Sequence, residues 1–240
     1  MAEAMFDFSQ AMREGCAKMG LSLSDTCIAK LKTYCDFLLE YNQKVNLTAI
    51  TEPAEIVQKH FLDCLFALRA VPENAVCADI GTGAGFPGAV LAIARPDITM
   101  HLFDSLKKRL VFLDELCERL DVKNCASFHF RAEDAGRAAQ FREKYDRVFS
   151  RAVARMSVLA ELTLPFAAVG GYAAAMKGPS VEAELKDASR ALSLLGAGRP
   201  QLLHNDALGG LSHCLVLLPK ERPTPKAYPR KAGTPEKSPI

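Results

Sequence analysis

The 240-residue chain lacks an apolar run long enough to cross a bilayer. No uncharged stretch exceeds 15 residues, the one at 162–176 being interrupted by Pro165, Gly170 and Gly171, and a spanning helix needs roughly 20. It also lacks a marked excess of either charge: 30 Lys+Arg stand against 28 Asp+Glu, net +2, which excludes a protein that coats nucleic acid indiscriminately. What excess exists lies at the end, because residues 1–219 hold 24 basic and 26 acidic side chains and residues 220–240 hold six and two. None of the eight cysteines forms a Cys-x-x-Cys pair, so no zinc-site spacing occurs, and thiols scattered through a chain of this length describe a reduced cytoplasmic protein without metal. Residues 1–10 carry Glu3 and Asp7 and lack the basic start and apolar stretch of an export signal. No internal repeat and no Gly-x-Ser-x-Gly nucleophile elbow is present.

What is there is ordinary globular composition, 49% hydrophobic and 24% charged, with a pattern that changes along the chain. From Ser24 to about Gln43, Ile28, Leu31, Cys35, Leu38 and Leu39 recur at helical spacing, and a second helical pattern follows Pro53 through Ile56, His60, Phe61, Cys64 and Leu68. At Val76 short apolar runs begin to alternate with helical stretches. Strands are expected at Val76 to Ile80, Ile98 to Phe103, Ala126 to Phe130, Arg147 to Ser150, Tyr172 to Met176 and His213 to Leu218. Helices are expected from Pro87, over Lys107 to Leu120, Ser157 to Ala168 and Val181 to Leu195. The economical solution is an α/β fold with a doubly wound, mostly parallel sheet over 73–219 and a helical N-terminal extension over 1–72. From Pro219 onward six of the 13 prolines fall among basic residues, so 220–240 reads as an extended, mobile tail whose removal should leave a binding site elsewhere intact.

The run Asp79-Ile80-Gly81-Thr82-Gly83-Ala84-Gly85-Phe86-Pro87-Gly88 falls where a strand turns into a helix. Glycines there permit positive φ and close approach of a ligand. Asp104, 23 residues after Gly81 at the end of the second strand, is placed to accept hydrogen bonds from the hydroxyls of an adenosine ribose, with Ser105 beside it. Two cofactors are compatible with the glycines: Gly83, Gly85 and Gly88 have the dinucleotide spacing, and Gly81, Gly83 and Gly85 that usual for S-adenosylmethionine. Asp79, two before the first glycine, favours the latter, since it would face an ammonium and gain nothing from a pyrophosphate.

Together with these, Asn46-Leu47-Thr48, His60-Phe61-Leu62-Asp63, Asp104-Ser105-Leu106 with Lys108-Arg109, Ala132-Glu133, Ser150-Arg151-Ala152 and Lys177-Gly178 resemble the bacterial small-subunit rRNA guanine-N7 methyltransferases, also called the glucose-inhibited division protein B family. The resemblance runs from about residue 24 to 218, departing at Cys64, where serine is expected, and in a tail longer than the family needs. It implies a Rossmann-like class I methyltransferase acting on 16S rRNA in the 30S subunit as a cytoplasmic monomer. It also implies that Gly81 and Phe86 contact S-adenosylmethionine, that Ala132 and Glu133 border the adenine, and that Arg151 sits where cofactor and target base meet.

The chemistry agrees with what is missing. Guanine N7 has an in-plane lone pair and no proton, so it can attack a sulfonium methyl directly, and the site needs orientation more than a base. Neither an Asn/Asp-Pro-Pro-Tyr/Phe motif for exocyclic amines nor a Pro-Cys nucleophile for pyrimidine carbon is present. Arg151 and Lys177, just past two strand ends, are the candidate catalytic or positioning cations. His60 and Asp63 share a helix face and read as a domain clamp. Lys107, Lys108, Arg109, Arg147, Arg151, Arg155 and the tail are the candidate RNA-facing cations. A nicotinamide-dependent oxidoreductase, a non-catalytic RNA-binding module, or a methyltransferase of another RNA or of a small molecule are the rivals.

Overall fold

The computed structural model describes residues 6–208 and 214–240. Two amphipathic helices open the chain, α1 (Phe8–Lys18) and α2 (Asp25–Asn42), each capped by the side chain before it: Asp7 accepts from Gln10 N and Ser24 from Cys27 N. A short α3 (Pro53–Ile56) runs through a π-helical turn, Val57–Leu62, into α4 (Asp63–Phe66). The sheet domain follows as β1 (Val76–Ile80), α5 (Gly88–Ala94), β2 (Thr99–Asp104), α6 (Lys107–Arg119), β3 (Cys125–His129) and α7 (Ala132–Ala135). It continues with β4 (Tyr145–Arg151), α8 (Met156–Thr163), β5 (Ala167–Lys177), α9 (Val181–Asp187), α10 (Ser189–Leu194), β6 (Gln201–His204), β7 (Cys214–Pro219) and α11 (Thr234–Lys237).

The seven strands lie in the order β3-β2-β1-β4-β5-β7-β6, with β7 antiparallel to both neighbours and the other pairings parallel. The expected doubly wound, mostly parallel sheet is therefore what the chain forms. Its order reverses between β1 and β4, and in an open α/β sheet the crevice at the carboxyl ends of the strands on either side of such a reversal is where ligands bind. Among the described residues no helix is long and apolar enough to cross a membrane.

One core cluster joins the N-terminal helices to the sheet through residues such as Met12, Leu31, Leu38, Phe61, Leu91 and Leu113, and the other lies on the opposite face among Phe103, Tyr145, Leu159, Phe166 and Val216. The first 72 residues thus share their core with the sheet domain. Several elements differ from expectation for local reasons. The helix expected to reach Ala168 stops at Thr163, because Pro165 cannot extend it and Ala167 pairs with Tyr145 as the start of β5. The helix expected over 181–195 is divided at Ala188 into α9 and α10. The last strand begins at Cys214, and its expected first residue, His213, lies outside the described residues.

The extended tail is the main correction. Residues 220–240 run back across the α8 face, held by charges buried within the protein. Lys220 is 1% exposed, donates to the Leu164 carbonyl at 2.6 Å and lies 3.3 Å from Glu143. Arg142 donates to the carbonyls of Tyr228 and Thr224, and Arg137 to that of Pro229. Arg230 grips the fully buried Glu161 with both its guanidinium and its backbone N–H. Lys220 and Arg230, two of the basic residues that made this segment look solvated, are among its anchors.

Candidate active site

The glycine loop leaves β1 and is built to be tight. Gly81, Gly83 and Gly85 have φ of 71°, 60° and 94°, a region costly for residues with a Cβ. At Gly85 the neighbours forbid one as well, since a Cβ would lie 2.6 Å from the Tyr34 hydroxyl and 2.8 Å from Ala89 Cβ. Tyr34 reaches the loop from α2: its buried hydroxyl donates to the Ala84 carbonyl, and its ring stacks on Phe86 with centroids 5.4 Å apart and planes at 6°. Nothing near Tyr34 in sequence marks it for this work, which its fully buried hydroxyl requires.

Asp79 does not face a cavity. It is fully buried behind the loop, where one carboxylate oxygen accepts from the Thr82 hydroxyl at 2.7 Å and from Gly88 N at 2.9 Å. In this structure it fastens both ends of the loop, and its other oxygen, Oδ1, has no hydrogen-bond partner among the described residues. Burial pushes its carboxyl up to about 6, against the lowering pull of those two hydrogen bonds. Asp104, at the end of β2, does border a cavity. It accepts from Gly83 N (3.0 Å), Leu106 N (2.8 Å) and Arg109 (3.2 Å), and a carboxylate with about four acceptor positions has capacity left.

Over the strand ends runs a groove of two adjoining cavities that share Gly81, Arg109, Ala152, Val153 and Ala154. The smaller, about 330 Å³, is walled by Asp104, Ser105, Phe130, Arg131, Ala132 and Glu133 among others. The larger, about 750 Å³, is walled by Gly83, Phe86, Thr48, His60, Arg151 and Lys177 among others. Ala152, between them, holds a left-handed φ of 54°, a strained conformation of the kind that collects at functional sites. Phe130, 37% exposed at the mouth of the smaller cavity, is a flat apolar surface that the sequence reading missed.

Arg151 crosses the larger cavity's floor. Its guanidinium donates to the Lys59 carbonyl at 3.0 Å and to His60 Nδ1 at 3.2 Å, lies 3.5 Å from Asp63, and sits over the Phe86 ring at 5.0 Å. His60 Nδ1 lies within hydrogen-bond distance of both this guanidinium and the Lys59 carbonyl (3.1 Å), and its Nε2 shares a hydrogen bond with Thr48 Oγ1 at 2.9 Å. The expected His60 and Asp63 clamp is thus tied to Arg151 and to the Asn46-Leu47-Thr48 turn, which Asn42 holds through hydrogen bonds to Leu47 N, Thr48 N and the Thr48 carbonyl. Lys177 is paired: its ammonium donates to Glu184 at 2.6 Å and to the Ala154 carbonyl at 2.7 Å, while Glu184 also accepts from Met156 N. It shapes the segment between the cavities, and Glu184, its partner on α9, went unrecognised in the sequence. Lys107, Lys108 and Arg155 are exposed. Arg147, at the far end of β4, is instead spent on the Ala70 carbonyl and the Tyr172 ring.

Two outcomes follow. Replacing Asp104 by alanine releases Gly83 and Arg109 and removes the ribose acceptor, so the affinity for an adenosine cofactor is expected to fall tenfold or more, about 1.5–3 kcal/mol; unchanged affinity by titration calorimetry would take Asp104 out of the site. Burial, then the adjacent Arg151, pulls the His60 imidazole from 6.5 down to about 4. The unfolded chain therefore takes up that proton first, and the stability owed to His60 is present above about pH 6.5 and is lost towards pH 4. Asp79, raised from 3.8 to about 6, slopes the other way, favouring the folded chain as pH falls. The clean comparison is the wild type against His60→Asn: the wild type's advantage in denaturant unfolding should shrink by at least about 1 kcal/mol between pH 6.5 and 4, and a constant difference would show that the ring is not held neutral.

Comparisons with known proteins agree with this geometry. Residues 27–206 match the GidB family model, described as rRNA small subunit methyltransferase G. Ribosomal RNA small subunit methyltransferase G of Alkaliphilus oremlandii is 42% identical over 237 residues, 98% of this chain and 99% of the relative. That of Clostridium perfringens strain 13 is 43% identical over 232 residues, 95% and 97% of the two chains. These relatives are spanned almost end to end, so the tail is not the departure from the family that it resembles in the sequence. For the fold alone, a SAM-dependent O-methyltransferase from Thermotoga maritima superimposes with a TM-score of 0.55 at 12% identity, covering 78% of this chain and 73% of that one. The family match and the near full-length identities establish that the chain belongs to the rRNA small subunit methyltransferase G family.

Proposed function

We propose that this chain transfers a methyl group from S-adenosylmethionine to N7 of a guanine in 16S rRNA, taken as the assembled 30S particle. Family membership carries the reaction class, the cofactor and the rRNA substrate. The observation that carries the finer reading is the groove itself, an adenosine-sized cavity beside Asp104 opening into a larger one beside Arg151 with no uncommitted base in its wall. His60, Arg109, Arg151 and Lys177 each have an intramolecular partner there.

The residues present fit the cofactor. Asp104 has an acceptor position left for a ribose hydroxyl, and Phe130 and Ala132 offer a flat apolar border to a purine. Arg109 Nε is a buried donor with no hydrogen-bond partner among the described residues. Where the two cavities adjoin, Val153 packs so closely on Gly81 that a Cβ there would lie 2.8 Å from Val153 Cγ2. When bound, S-adenosylmethionine supplies an electrophilic methyl group on sulfur, towards which a guanine N7 lone pair needs alignment and no base. Arg151 is the orienting residue: held by His60 and the Lys59 carbonyl, it presents charge at the larger cavity without taking a proton, and its pairing away from the guanine edge leaves N7 free. Lys177 is a positioning residue acting through Ala154. The same reading takes the chain as a monomer acting in the cytoplasm, where its 30S substrate is found.

The experiment is transfer of a labelled methyl group from S-adenosylmethionine to 30S particles lacking the modification, then nucleoside analysis of the rRNA. Label in 7-methylguanosine is expected, with naked 16S rRNA a poorer acceptor. Label in another nucleoside would overturn N7, and equal transfer to naked rRNA would overturn the particle as substrate.

A further inference from the structure

The smaller cavity has a wall that the strand-end residues do not supply. Beyond the Arg230–Glu161 anchor the tail turns at Gly233, whose φ of 79° suits glycine and whose N–H donates to Glu133 Oε1 at 2.8 Å. The helical turn that follows buries Pro235, and Pro235 and Glu236 line the cavity opposite Asp104 and Ala132. Glu133 is 9% exposed, so its carboxylate is largely committed to holding this turn.

We infer that residues 233–237 are part of the cofactor site: docked on Glu133, they close the purine side of the smaller cavity and raise affinity for the adenosine half of S-adenosylmethionine. This rests on the reading of the groove given above. The chemistry suits a purine bearing an amine. Pro235 offers an apolar surface to a ring face, the remaining lone pairs of Glu133 and those of Glu236 can accept from an exocyclic amino group, and an oxygen in its place would meet carboxylates. Residues 220–232 keep their own anchors through Lys220, Arg142, Arg137 and Arg230, so the turn can be removed without them.

The test compares the full chain with one ending at Ala232. Kd is measured for S-adenosylmethionine and for 5′-deoxy-5′-methylthioadenosine, which keeps the adenosine and lacks the amino acid, alongside melting of the ligand-free proteins. Both Kd values are expected to rise by the same factor, about tenfold, and the KM for S-adenosylmethionine to rise with kcat on 30S particles little changed. A turn with only a structural role would lower the melting temperature and leave Kd in place, which would overturn the inference. Should the truncated chain not fold, Gly233→Pro in the full chain decides: proline has no N–H for Glu133 and cannot adopt that φ, so the turn undocks, and unchanged Kd values would overturn the inference equally. If the full chain itself bound no S-adenosylmethionine, the reading of the groove would fall and this inference with it, an outcome distinct from equal binding by both forms.

Discussion

Replacing Arg151 by alanine is expected to lower kcat/KM for methyl transfer to 30S particles by about two to three orders of magnitude. The guanidinium links three parts of the molecule that are remote in sequence. It extends from the end of β4, donates to the Lys59 carbonyl and His60 on the π-helical turn, and covers the Phe86 ring of the glycine loop. Truncating one member of a desolvated, hydrogen-bonded charged cluster costs about 2–5 kcal/mol. Each 1.4 kcal/mol or so is a factor of ten, and because Arg151, His60 and Phe86 all border the larger cavity, the loss falls on the site. Arg151→Lys should recover little, about tenfold at most, since an ammonium restores the charge without the planar fork that reaches a carbonyl and an imidazole together. Activity within threefold of wild type for Arg151→Ala, with melting unchanged, would reduce the residue to a surface ion pair.

What the sequence made legible was whatever is local. The glycine loop, Asp79 and Asp104 stand within one βαβ unit, so spacing alone assigns Asp104 to the strand end and the glycines to a left-handed turn. Strand ends could be located well enough to bring Arg151 and Lys177 to the same sheet edge. Their partners could not be: Lys177 meets Glu184 across a loop whose fold no periodicity dictates, and Tyr34 meets Ala84 from 50 residues away. The spacing that singles out Asp79 does not name the partners it has in the fold, the Thr82 hydroxyl and Gly88 N–H of the loop itself. The edge strand β6, four residues long, is too short to show alternation. Helix α1 carried a usable signal that was passed over, Phe8, Met12 and Cys16 at steps of four, all buried. The tail was misread because composition reports how many charges a segment has and not whether acids elsewhere in the fold await them.

The anchoring of the tail carries a second large effect, on stability. Arg230→Ala is expected to destabilise the chain by about 3 kcal/mol, or roughly 6–12 °C in melting temperature for a protein of this size. Glu161 lies on α8 with its side chain 1% exposed, and Arg230, 69 residues further along, supplies its counter-charge through Nε and Nη2 and a backbone N–H besides. The arginine is itself 26% exposed, so its own desolvation is modest and the cost arises from the carboxylate left behind in the core. Two further variants separate this from a loss of packing. Arg230→Lys keeps a charge near Glu161 and should retain about half the stability, because one ammonium cannot reproduce the bidentate grip. Pairing Arg230→Met with Glu161→Leu removes the stranded charge together with its partner and should recover most of the loss, as apolar replacement of a buried ion pair commonly does. If Arg230→Ala melted with the wild type, Glu161 would have to be solvated, and residues 220–240 would be the loose extension that their composition describes. If it melts early and the double variant recovers, the tail is a structural element of the methyltransferase fold, locked on by a charge pair that only the folded chain brings together.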